Sequence, residues 1–509
     1  MLCVVNGCGL YGIDGYNVKV ETDISNGLPQ FDIIGLGDTT VKESKDRVRA
    51  ALKNCGYKLP SQRITINLSP AALKKEGAAY DLPIAIGIIQ ADQQMNSIDL
   101  NKFLFAGELS LDGTVRSVHG ALSMAICAKE KGFKKIVLPP ESAFEASVVF
   151  GIEAIPVRTL REAIQYLSGE QNITPVRTDP LELFSRSEGY GIDFADVAGQ
   201  EGAKRALEVA AAGSHNCLMT GSPGCGKTML AKRLPGILPD MTFEEALEVT
   251  RIYSVSGHKD PQTPLITVRP FRTPHHTITD VGLIGGGIVP KPGEVCLAHT
   301  GVLFMDEIPE FKQTALEALR QPVEDGHVTI TRSNITFTYP SSFMLVCASN
   351  PCKCGYLYDK ERVCICTSSE IATYAKKLSG PLLDRIDIHI EVPSVSYNEF
   401  ISKQKGESSN VIKNRVDAAR KMQIDRYKGT GIYSNSQLTS TMIKRYCTLG
   451  QEAEKLFKTA FEKLNLSARA HDRILKVART IADLDKSNGI CSTHLSEAIQ
   501  YRSFDREHT

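Results

Sequence analysis

The sequence lacks a strong charge of either sign, a long apolar run and any internal repeat. Its 509 residues carry 59 Lys and Arg against 58 Asp and Glu, a net charge of +1. This balance excludes binding of nucleic acid through a uniformly basic surface, so a polyanion site must be local or repeated around an oligomer. The most apolar stretch, DLPIAIGIIQA, is much shorter than the roughly 20 residues that span a membrane, so we expect no membrane contact.

The first residues, MLCVVNGCGLYGIDGY, lack the basic start and the continuous apolar core of a signal peptide, so we expect no export signal. Fourteen cysteines scattered through such a chain favour reduced thiols and a cytoplasmic location. Apolar residues make up 42% and charged residues 23%, a composition typical of folded globular proteins.

Segments typical of strands and helices divide the chain into three predicted domains. Residues 1–168 alternate strand-like runs such as RITINLS with helix-like runs such as ALSMAICAKEKG, which predicts an α/β or α+β domain. A polar, proline-containing linker is predicted at 169–192 and a second α/β domain at 193–393. Residues 394–509 have helical periodicity, which predicts a helical bundle. The predicted fold class is a multidomain α/β protein.

The segment CLMTGSPGCGKTML carries the strongest chemical signal. It matches GxxxxGK[ST] between a short apolar strand and a helical run, the context of a phosphate-binding loop. The predicted loop consists of Gly221, Ser222, Pro223, Gly224, Cys225, Gly226, Lys227 and Thr228. Glycines leave the backbone N–H groups open to phosphate, while Lys227 suits the β- and γ-phosphates and Thr228 suits Mg²⁺. ATP and Mg²⁺ are therefore the predicted ligands.

Two later apolar strands end in polar residues that suit the same site. In GVLFMDEIPEF, Asp306 is placed to bind Mg²⁺ and Glu307 to orient the attacking water. In SSFMLVCASN, Asn350 is placed to touch the γ-phosphate or that water. Arg385, in LSGPLLDRIDIHIEV, is either a surface salt-bridge residue or an arginine finger that reaches the γ-phosphate of a neighbouring subunit.

Four cysteines follow the strand that ends in SSFMLVCASN. Cys352 and Cys354 form one CxC pair, and Cys364 and Cys366 form a second. Thiolate-only ligation favours Zn²⁺, although CxC is tighter than the usual spacing and needs a sharp turn, which Gly355 permits. Because four cysteines leave no open position, we predict a structural zinc site, with free or redox-active thiols as the alternative.

Several long passages resemble the ComM/YifB family of magnesium-chelatase-like AAA+ ATPases. They are GLPQFDIIGLGDTTVKESKDRVRAAL, NLSPAALKKEGAAYDLPIAIGI, FADVAGQEGAKRALEVAAAG, FRTPHHTITDVGLIGGG, PGEVCLAHTGVLFMDEIPEF and LSGPLLDRID. The resemblance spans nearly the whole chain. It implies an AAA+ P-loop core at 193–393, with a four-cysteine insertion at 352–366, and a helical lid at 394–509. It also implies that residues 1–168 adopt the Lon-protease-like fold, which is related to the second domain of ribosomal protein S5.

The resemblance further implies a homohexameric ring in which Arg385 acts on the ATP of the neighbouring subunit. Arg469, in LSARAHDR at the start of a lid helix, is implied to be a second nucleotide sensor, with Arg473 as the second choice. Family members are associated with DNA branch migration during natural transformation. Single-stranded or branched DNA is therefore the implied partner.

Two loop segments between the strands of the core resemble elements that project into the ring pore. The first, RPFRTPHHTITDVGLIGGGIVPKPGEV, contains Arg269, Arg272, His275 and His276. The second, HVTITRSNITFTY, predicts a hairpin with Arg332 near its turn. Basic residues at such positions are suited to a phosphate backbone, and ordinary solvated loops are the alternative.

Lon proteases work through a Ser–Lys dyad, and both positions differ here. In KKEGAAYDLPIAIGI the place of the serine is taken by Ala79, and in FAGELSLDGTVRSVHGALSM the place of the lysine is taken by Leu122. Neither residue can act as nucleophile or base, so we predict a domain without peptidase activity. A shifted alignment leaves Ser69, Lys74 and Lys75 as the alternative.

An ATP-driven DNA motor is the function that these features favour, with branch migration or helicase activity in recombination. A second possible function is magnesium-chelatase-like insertion of a metal into a porphyrin, although a Lon-like domain and a cysteine cluster do not suit a chelatase subunit. The sequence also leaves open an ATP-driven peptidase, ATP-dependent remodelling of a protein partner, and a switch that hydrolyses ATP only to change shape.

Overall fold

The computed structural model describes residues 2–96, 98–185, 191–287, 290–332, 335–359, 362–378, 380–395, 406–464 and 466–503. It divides into one unit of Met1–Ser187 with Phe243–Thr267, and a second of Glu188–Thr242 with Val268–Thr509. Residues 186–190 of the predicted linker and 396–405 of the predicted lid lie outside the described residues. In the part that is described, no helix is both long and apolar enough to cross a membrane.

A seven-stranded sheet forms the centre of the first unit. The strands of this unit are β1 Leu2–Tyr11, β2 Asp14–Ser25, β3 Gln30–Ile34, β4 Arg63–Ser69, β5 Phe103–Phe105, β6 Glu108–Leu109, β7 Val115–Arg116, β8 Lys135–Leu138 and β9 Glu153–Pro156. The sheet order is β3-β4-β2-β1-β5-β8-β9, and β6 pairs with β7 in a separate ribbon. Among the described strands of the sheet, the pairs β1–β2 and β2–β4 are antiparallel and the others are parallel. Val18, Val20 and Ile24 alternate with more exposed residues along β2, as expected for a strand with one face on the core.

The first unit also contains helices, several of which pack against this sheet. They are Thr39–Asn54, Asp81–Ala91, Ala121–Glu130, Pro140–Ala146, Leu160–Leu167, Pro180–Ser185 and Phe243–Ser256. The helix Asp81–Ala91 packs against β1 and β2, and ten of its eleven residues are buried, which explains its unbroken apolar sequence.

The helix Phe243–Ser256 reaches the first unit from a distant part of the sequence. It packs against the helix Ala121–Glu130, and the backbone N–H of Gly120 donates to Ser254 Oγ at 2.9 Å. In the sequence this helix lies inside the predicted core of 193–393. In the structure it belongs to the first unit, so the two units are not continuous segments of the chain.

A five-stranded parallel sheet forms the centre of the second unit. The strands of this unit are β10 Cys217–Thr220, β11 Phe271–Arg272, β12 Gly285–Gly286, β13 Lys291–Pro292, β14 Val302–Met305, β15 His327–Arg332, β16 Ile335–Pro340, β17 Met344–Ser349 and β18 Ile388–Glu391. The sheet order is β11-β14-β17-β10-β18, while β12–β13 and β15–β16 form separate ribbons. Every residue of β14 and β17 is buried, which is typical of parallel strands covered on both faces.

Helices surround this sheet and make up the end of the chain. Those before residue 400 are Glu201–Gly213, Lys227–Arg233, Asp280–Ile284, Glu294–Leu297, Gln313–Ala318, Arg320–Asp325, Ser368–Lys376 and Gly380–Leu383. Those after it are Ser409–Arg426, Ser440–Tyr446, Gln451–Lys463, Ala468–Leu484 and Ser492–Ser503. The described residues beyond 406 contain no strand, which confirms the predicted helical character of this region.

Candidate nucleotide-binding site

The predicted phosphate loop connects β10 to the helix that starts at Lys227. Gly224 and Gly226 have φ values of +81° and +96°, a conformation that residues with a Cβ seldom adopt. The Lys227 side chain is buried, and its Nζ donates to the carbonyl oxygens of Gly221 at 2.6 Å and Ser222 at 3.0 Å. The loop therefore encloses its own lysine at the start of a helix, an arrangement suited to phosphate.

Polar residues at the ends of β10, β14 and β17 meet because these three strands are parallel neighbours. Thr228 Oγ1 donates to Asp306 Oδ2 at 2.6 Å, and Lys227 Nζ donates to Asn350 Oδ1 at 3.2 Å. A hydroxyl beside a carboxylate is a donor set that fits Mg²⁺, which prefers oxygen ligands. The structure thus brings together four residues that the sequence predicted for one site.

Glu307 stands next to this group with an unusual backbone. Its φ of +50° is left-handed, which costs energy for a residue other than glycine and is typical of functional sites. Its backbone N–H donates to Asp306 Oδ1 at 3.0 Å, so the two acidic residues are held in a fixed relation. The Glu307 side chain is exposed, where water can reach it.

One residue at the loop was missed by the sequence analysis. Gln200 Nε2 donates to the carbonyl oxygens of Cys225 at 3.3 Å and Pro393 at 2.6 Å, so it ties the phosphate loop to the segment after β18. The only signal for it was its place in the passage FADVAGQ, which the resemblance covers as a whole.

The two predicted arginines do not join this group. Arg385 Nη1 donates to the carbonyl oxygen of Pro381 at 2.7 Å, and Nη2 forms an ion pair with Glu324. Arg469 lies exposed in the first turn of the helix Ala468–Leu484 and makes no hydrogen bond or ion pair within the described part of the chain. Arg385 is therefore paired away from the phosphate loop, and Arg469 is exposed to solvent.

The four clustered cysteines converge on one point. The Sγ atom of Cys352 lies 3.4 Å from that of Cys354 and 3.7 Å from that of Cys364, and all four Sγ atoms lie within 4.8 Å of one another. A tetrahedral zinc site with Zn–S bonds of about 2.3 Å has sulfur atoms about 3.8 Å apart. Backbone hydrogen bonds, first that of Tyr356, lower the pKa of Cys354 to about 6, whereas burial raises the pKa of Cys352, so the fit to a metal rests on the spacing of the sulfur atoms. These residues fit a metal bound by thiolates.

The cysteine segment packs directly against the phosphate loop. Gly355 has a φ of +88°, and its N–H donates to the Cys352 carbonyl at 3.0 Å, which confirms the sharp turn predicted there. A Cβ on Gly355 would lie 2.5 Å from Pro223 Cδ, so only glycine allows this approach. Residues 360–361 of the insertion lie outside the described residues.

The first basic loop differs from the sequence interpretation. The Arg269 guanidinium donates to three backbone carbonyl groups at 2.6 to 3.2 Å, and Arg272 forms a bidentate ion pair with Glu294 at 2.7 Å. Both arginines therefore have hydrogen-bond acceptors within the protein itself.

The second basic loop forms the predicted hairpin. Strands β15 and β16 pair antiparallel, while the turn at 333–334 and the side chain of Arg332 lie outside the described residues. In the first loop the rings of His275 and His276 contact each other at a tilt of 34°, with centroids 4.1 Å apart.

The described residues of the first unit do not assemble a Ser–Lys dyad from Ser69, Lys74 and Lys75. Lys75 is fully buried and its Nζ donates to the Pro70 carbonyl, whereas Lys74 pairs with Glu76 at 2.8 Å. Within the described residues no hydrogen bond joins Ser69 to either lysine. The shifted alignment therefore gains no support from the geometry.

Comparison with known proteins agrees with these observations. Residues 193–400 match the family model described as magnesium chelatase, subunit ChlI. Residues 20–142 match the model of subunit ChlI of Mg-chelatase, and residues 406–502 match that of the ChlI C-terminal region.

Relatives match over nearly the full length. The chain is 42% identical to the uncharacterized protein YifB of Escherichia coli K12 over 99% of this chain and 98% of that protein. It is also 42% identical to the competence protein ComM of Haemophilus influenzae, over the same shares. Lon protease 2 of Bacillus subtilis is 27% identical over 32% of each chain. The chain therefore belongs to the ComM/YifB family of magnesium-chelatase-like AAA+ ATPases, with a Lon-like N-terminal region and a helical C-terminal region.

Proposed function

We propose that this protein is an ATP-hydrolysing ring motor that acts on single-stranded or branched DNA and drives branch migration in recombination during natural transformation. The observation that carries the ATPase part is the contact of Thr228 with Asp306 beside that of Lys227 with Asn350. A relative that is named a competence protein and matches over nearly the full length supports the DNA part. Six subunits in a ring would repeat any modest basic patch, which offsets the net charge of +1.

Each site residue has a separate task in this proposal. Lys227 and the N–H groups of the loop bind the phosphates of ATP, while Thr228 and Asp306 hold Mg²⁺. Bound Mg²⁺ supplies charge neutralisation at the β- and γ-phosphates. Glu307 orients the attacking water and accepts its proton, and Asn350 positions the reacting end of the nucleotide.

Two arginines complete the site in the assembled ring. Arg385 is supplied by the neighbouring subunit and stabilises the charge that develops on the transferred phosphoryl group. Arg469, on the first turn of a lid helix, reports the nucleotide state. Both assignments are compatible with side chains whose contacts within one subunit lie away from the phosphate loop.

The proposal includes a structural zinc ion held by Cys352, Cys354, Cys364 and Cys366. The spacing of their sulfur atoms supports it, because four thiolates at these distances would complete a tetrahedral site. A cytoplasmic location is part of the proposal, because none of the fourteen cysteines forms a disulfide, as a reducing compartment favours.

The domain boundaries belong to the proposal as well. They are a Lon-like domain without peptidase activity at 1–168, a linker at 169–192, a core at 193–393 and a lid at 394–509. The matched family segments support the order of the last two.

The test is to measure ATP turnover and strand displacement with single-stranded, duplex and branched DNA. We expect ATP turnover to rise with one of these DNA forms. Wild type should displace strands of branched substrates, and Glu307→Gln should not. If no DNA form raises ATP turnover, the motor assignment is wrong.

A magnesium-chelatase-like activity is the second candidate. The observation that favours it is the match of three separate segments to ChlI family models. It predicts ATP turnover that is unchanged by DNA and raised by a porphyrin together with a chelatase partner. Remodelling of a protein partner predicts that neither DNA nor porphyrin has an effect.

A further inference from the structure

A buried polar group holds the backbone of Arg385. The carbonyl oxygen of Arg385 accepts hydrogen bonds from Asn216 Nδ2 and from Arg473 Nη1, each at 3.0 Å. Arg473 Nη1 also donates to Asp387 Oδ1 at 2.5 Å. Arg502 Nη1 donates to the next carbonyl, that of Ile386, at 2.7 Å. Donors from the core and from the lid therefore fix the same short segment.

Asp387 is the centre of this group. Its side chain is 5% exposed, and its second carboxylate oxygen accepts from the Asn216 N–H at 3.2 Å and lies 3.4 Å from His215 Nδ1. Burial by itself would raise the pKa of Asp387, but the charge of Arg473 and the neighbouring His215 outweigh burial and lower it. The lowered pKa favours the charged carboxylate, the form that pairs with Arg473.

The same group contacts two of the strands that lead to the candidate ATP site. Asn216 lies directly before β10, which leads into the phosphate loop, and its Oδ1 accepts from the N–H of Leu345 in β17, which leads to Asn350. Arg473 lies four positions after Arg469 on the helix Ala468–Leu484, so both side chains leave the same side of that helix. A displacement of the lid helix should therefore move the Arg385 backbone, because Arg473 connects the two.

We propose that Arg473 is a positioning residue, which transmits the position of the lid helix to Arg385 through Asp387 and the Arg385 carbonyl. This inference rests on the proposed function, in which Arg385 serves the ATP of the neighbouring subunit. Within its own chain the Arg385 side chain is held by Glu324 and by the Pro381 carbonyl, so it must exchange these contacts to reach a neighbour. A fixed backbone keeps the guanidinium at a defined distance during that exchange, and a displacement of about 1 Å costs about 100-fold in rate.

Mixed rings separate this role from a role in the same subunit. Wild-type chains are mixed with an equal amount of chains that carry Glu307→Gln. A Glu307→Gln subunit does not hydrolyse ATP itself, but it still supplies Arg385 to the site of the neighbouring subunit. Three further mixtures use chains that combine Glu307→Gln with Arg385→Ala, Arg473→Gln or Arg473→Lys. The quantity measured is ATP turnover per wild-type subunit.

We expect the Arg473→Gln mixture to lose turnover as the Arg385→Ala mixture does, by up to about twofold relative to Glu307→Gln alone, because about half of the wild-type subunits in an equal mixture keep a wild-type neighbour. Arg473→Lys should restore the Glu307→Gln level, because an ammonium group donates to both Asp387 and the carbonyl. If the Arg473→Gln mixture equals Glu307→Gln alone, Arg473 acts only within its own subunit and the inference is wrong. If the Arg385→Ala mixture equals Glu307→Gln alone, the action of Arg385 across subunits fails, and the proposed function fails with it.

Ring assembly of each variant is checked by size-exclusion chromatography with light scattering. Should Arg473→Gln fail to assemble, Asn216→Ala removes the other donor to the Arg385 carbonyl and leaves the Arg473–Asp387 ion pair in place. Combined with Glu307→Gln, it should lower neighbour turnover by a smaller factor. An unchanged rate in that mixture would overturn the inference.

Discussion

Both sheets of this protein contain parallel strands, yet among the described residues the predicted polar groups meet at the strand ends of only one of them. In the five-stranded sheet, Lys227, Asp306 and Asn350 follow three neighbouring strands and contact one another or their neighbours. In the first unit, the predicted positions of a dyad hold Ala79 and Leu122. The comparison shows that chemistry depends on the residues at strand ends, while the sheet itself is only the scaffold.

Charged residues in the first unit have a different task. Asp81 is fully buried, and its carboxylate accepts from Arg47 at 2.6 and 3.0 Å and from the Leu109 N–H at 3.1 Å. Because each of these contacts lies inside the first unit, we interpret the ion pair between Arg47 and Asp81 as structural. Substitutions in the two units can therefore test this contrast between a reactive and a structural use of charge.

The largest effect is expected from Lys227→Ala. It removes a buried charge from the phosphate loop, so ATP binding should weaken by about 100-fold or more, with loss of turnover. Lys74→Ala, in the Lon-like unit, is the matched control and should leave ATP binding unchanged, because Lys74 is exposed and pairs with Glu76. Titration with a fluorescent ATP analogue measures both. Equal losses in the two variants would contradict the contrast.

Glu307→Gln should lower kcat by roughly 10²–10⁴-fold, the usual effect of losing a general base, and should leave ATP affinity intact. Glu310→Gln is the control, since Glu310 pairs with Lys377 at 3.2 Å and has no assigned role in the site. Steady-state ATPase assays together with nucleotide titration separate kcat from binding. Wild-type turnover in Glu307→Gln would remove this residue from the mechanism.

Arg47→Met should leave the buried Asp81 unpaired and lower the free energy of unfolding of the first unit by about 3–5 kcal/mol. Hydrogen exchange followed by mass spectrometry should show lost protection in β4 and in the helix Asp81–Ala91, with β10 and β17 unchanged. ATP turnover per folded chain should stay at the wild-type level. Arg49→Met, at an exposed position of the same helix as Arg47, is the control. A fall in turnover without a change in protection would give the ion pair a role in the reaction.

The smallest effect concerns the four-cysteine segment. Metal analysis should find about one zinc per chain in the wild type, and none in a variant with Cys352→Ser and Cys364→Ser. Because Gly355 packs against Pro223, loss of the metal should raise the KM for ATP by a few fold and leave kcat nearly unchanged. Cys491→Ser, at an exposed cysteine outside the cluster, should change neither quantity. An unchanged KM for ATP after zinc loss would show that the four-cysteine segment does not affect the phosphate loop.

Much of the fold could be predicted because its signals are local. The strand RITINLS and the helix ALSMAICAKEKG occur where the pattern of apolar residues placed them, as β4 and Ala121–Glu130. The apolar face predicted for the helix Ala468–Leu484 is buried as expected, for example at Ile474 and Val477. Periodicity suffices here because each element needs only one side that excludes water.

Contacts between distant segments could not be predicted in the same way. From the sequence, Arg269 and Arg272 are basic residues of a predicted loop. In the structure, both donate hydrogen bonds to acceptors from other parts of the chain. The helix Phe243–Ser256 has no local signal that assigns it to the first unit. The partner of a charged side chain is determined by which elements pack next to it. The residues beside it in the sequence do not predict that partner.

By itself, the sequence determined the phosphate loop, the acidic pair after β14, the Asn350 position and the cysteine cluster, because each is a short motif next to an apolar strand. The tertiary structure alone decided that Thr228 meets Asp306, that Gly355 meets Pro223, and that Arg473 holds the Arg385 segment from 88 positions away. The reason is physical. Strand and loop conformations follow from neighbouring residues, whereas hydrogen bonds between buried charges follow from how separate elements pack.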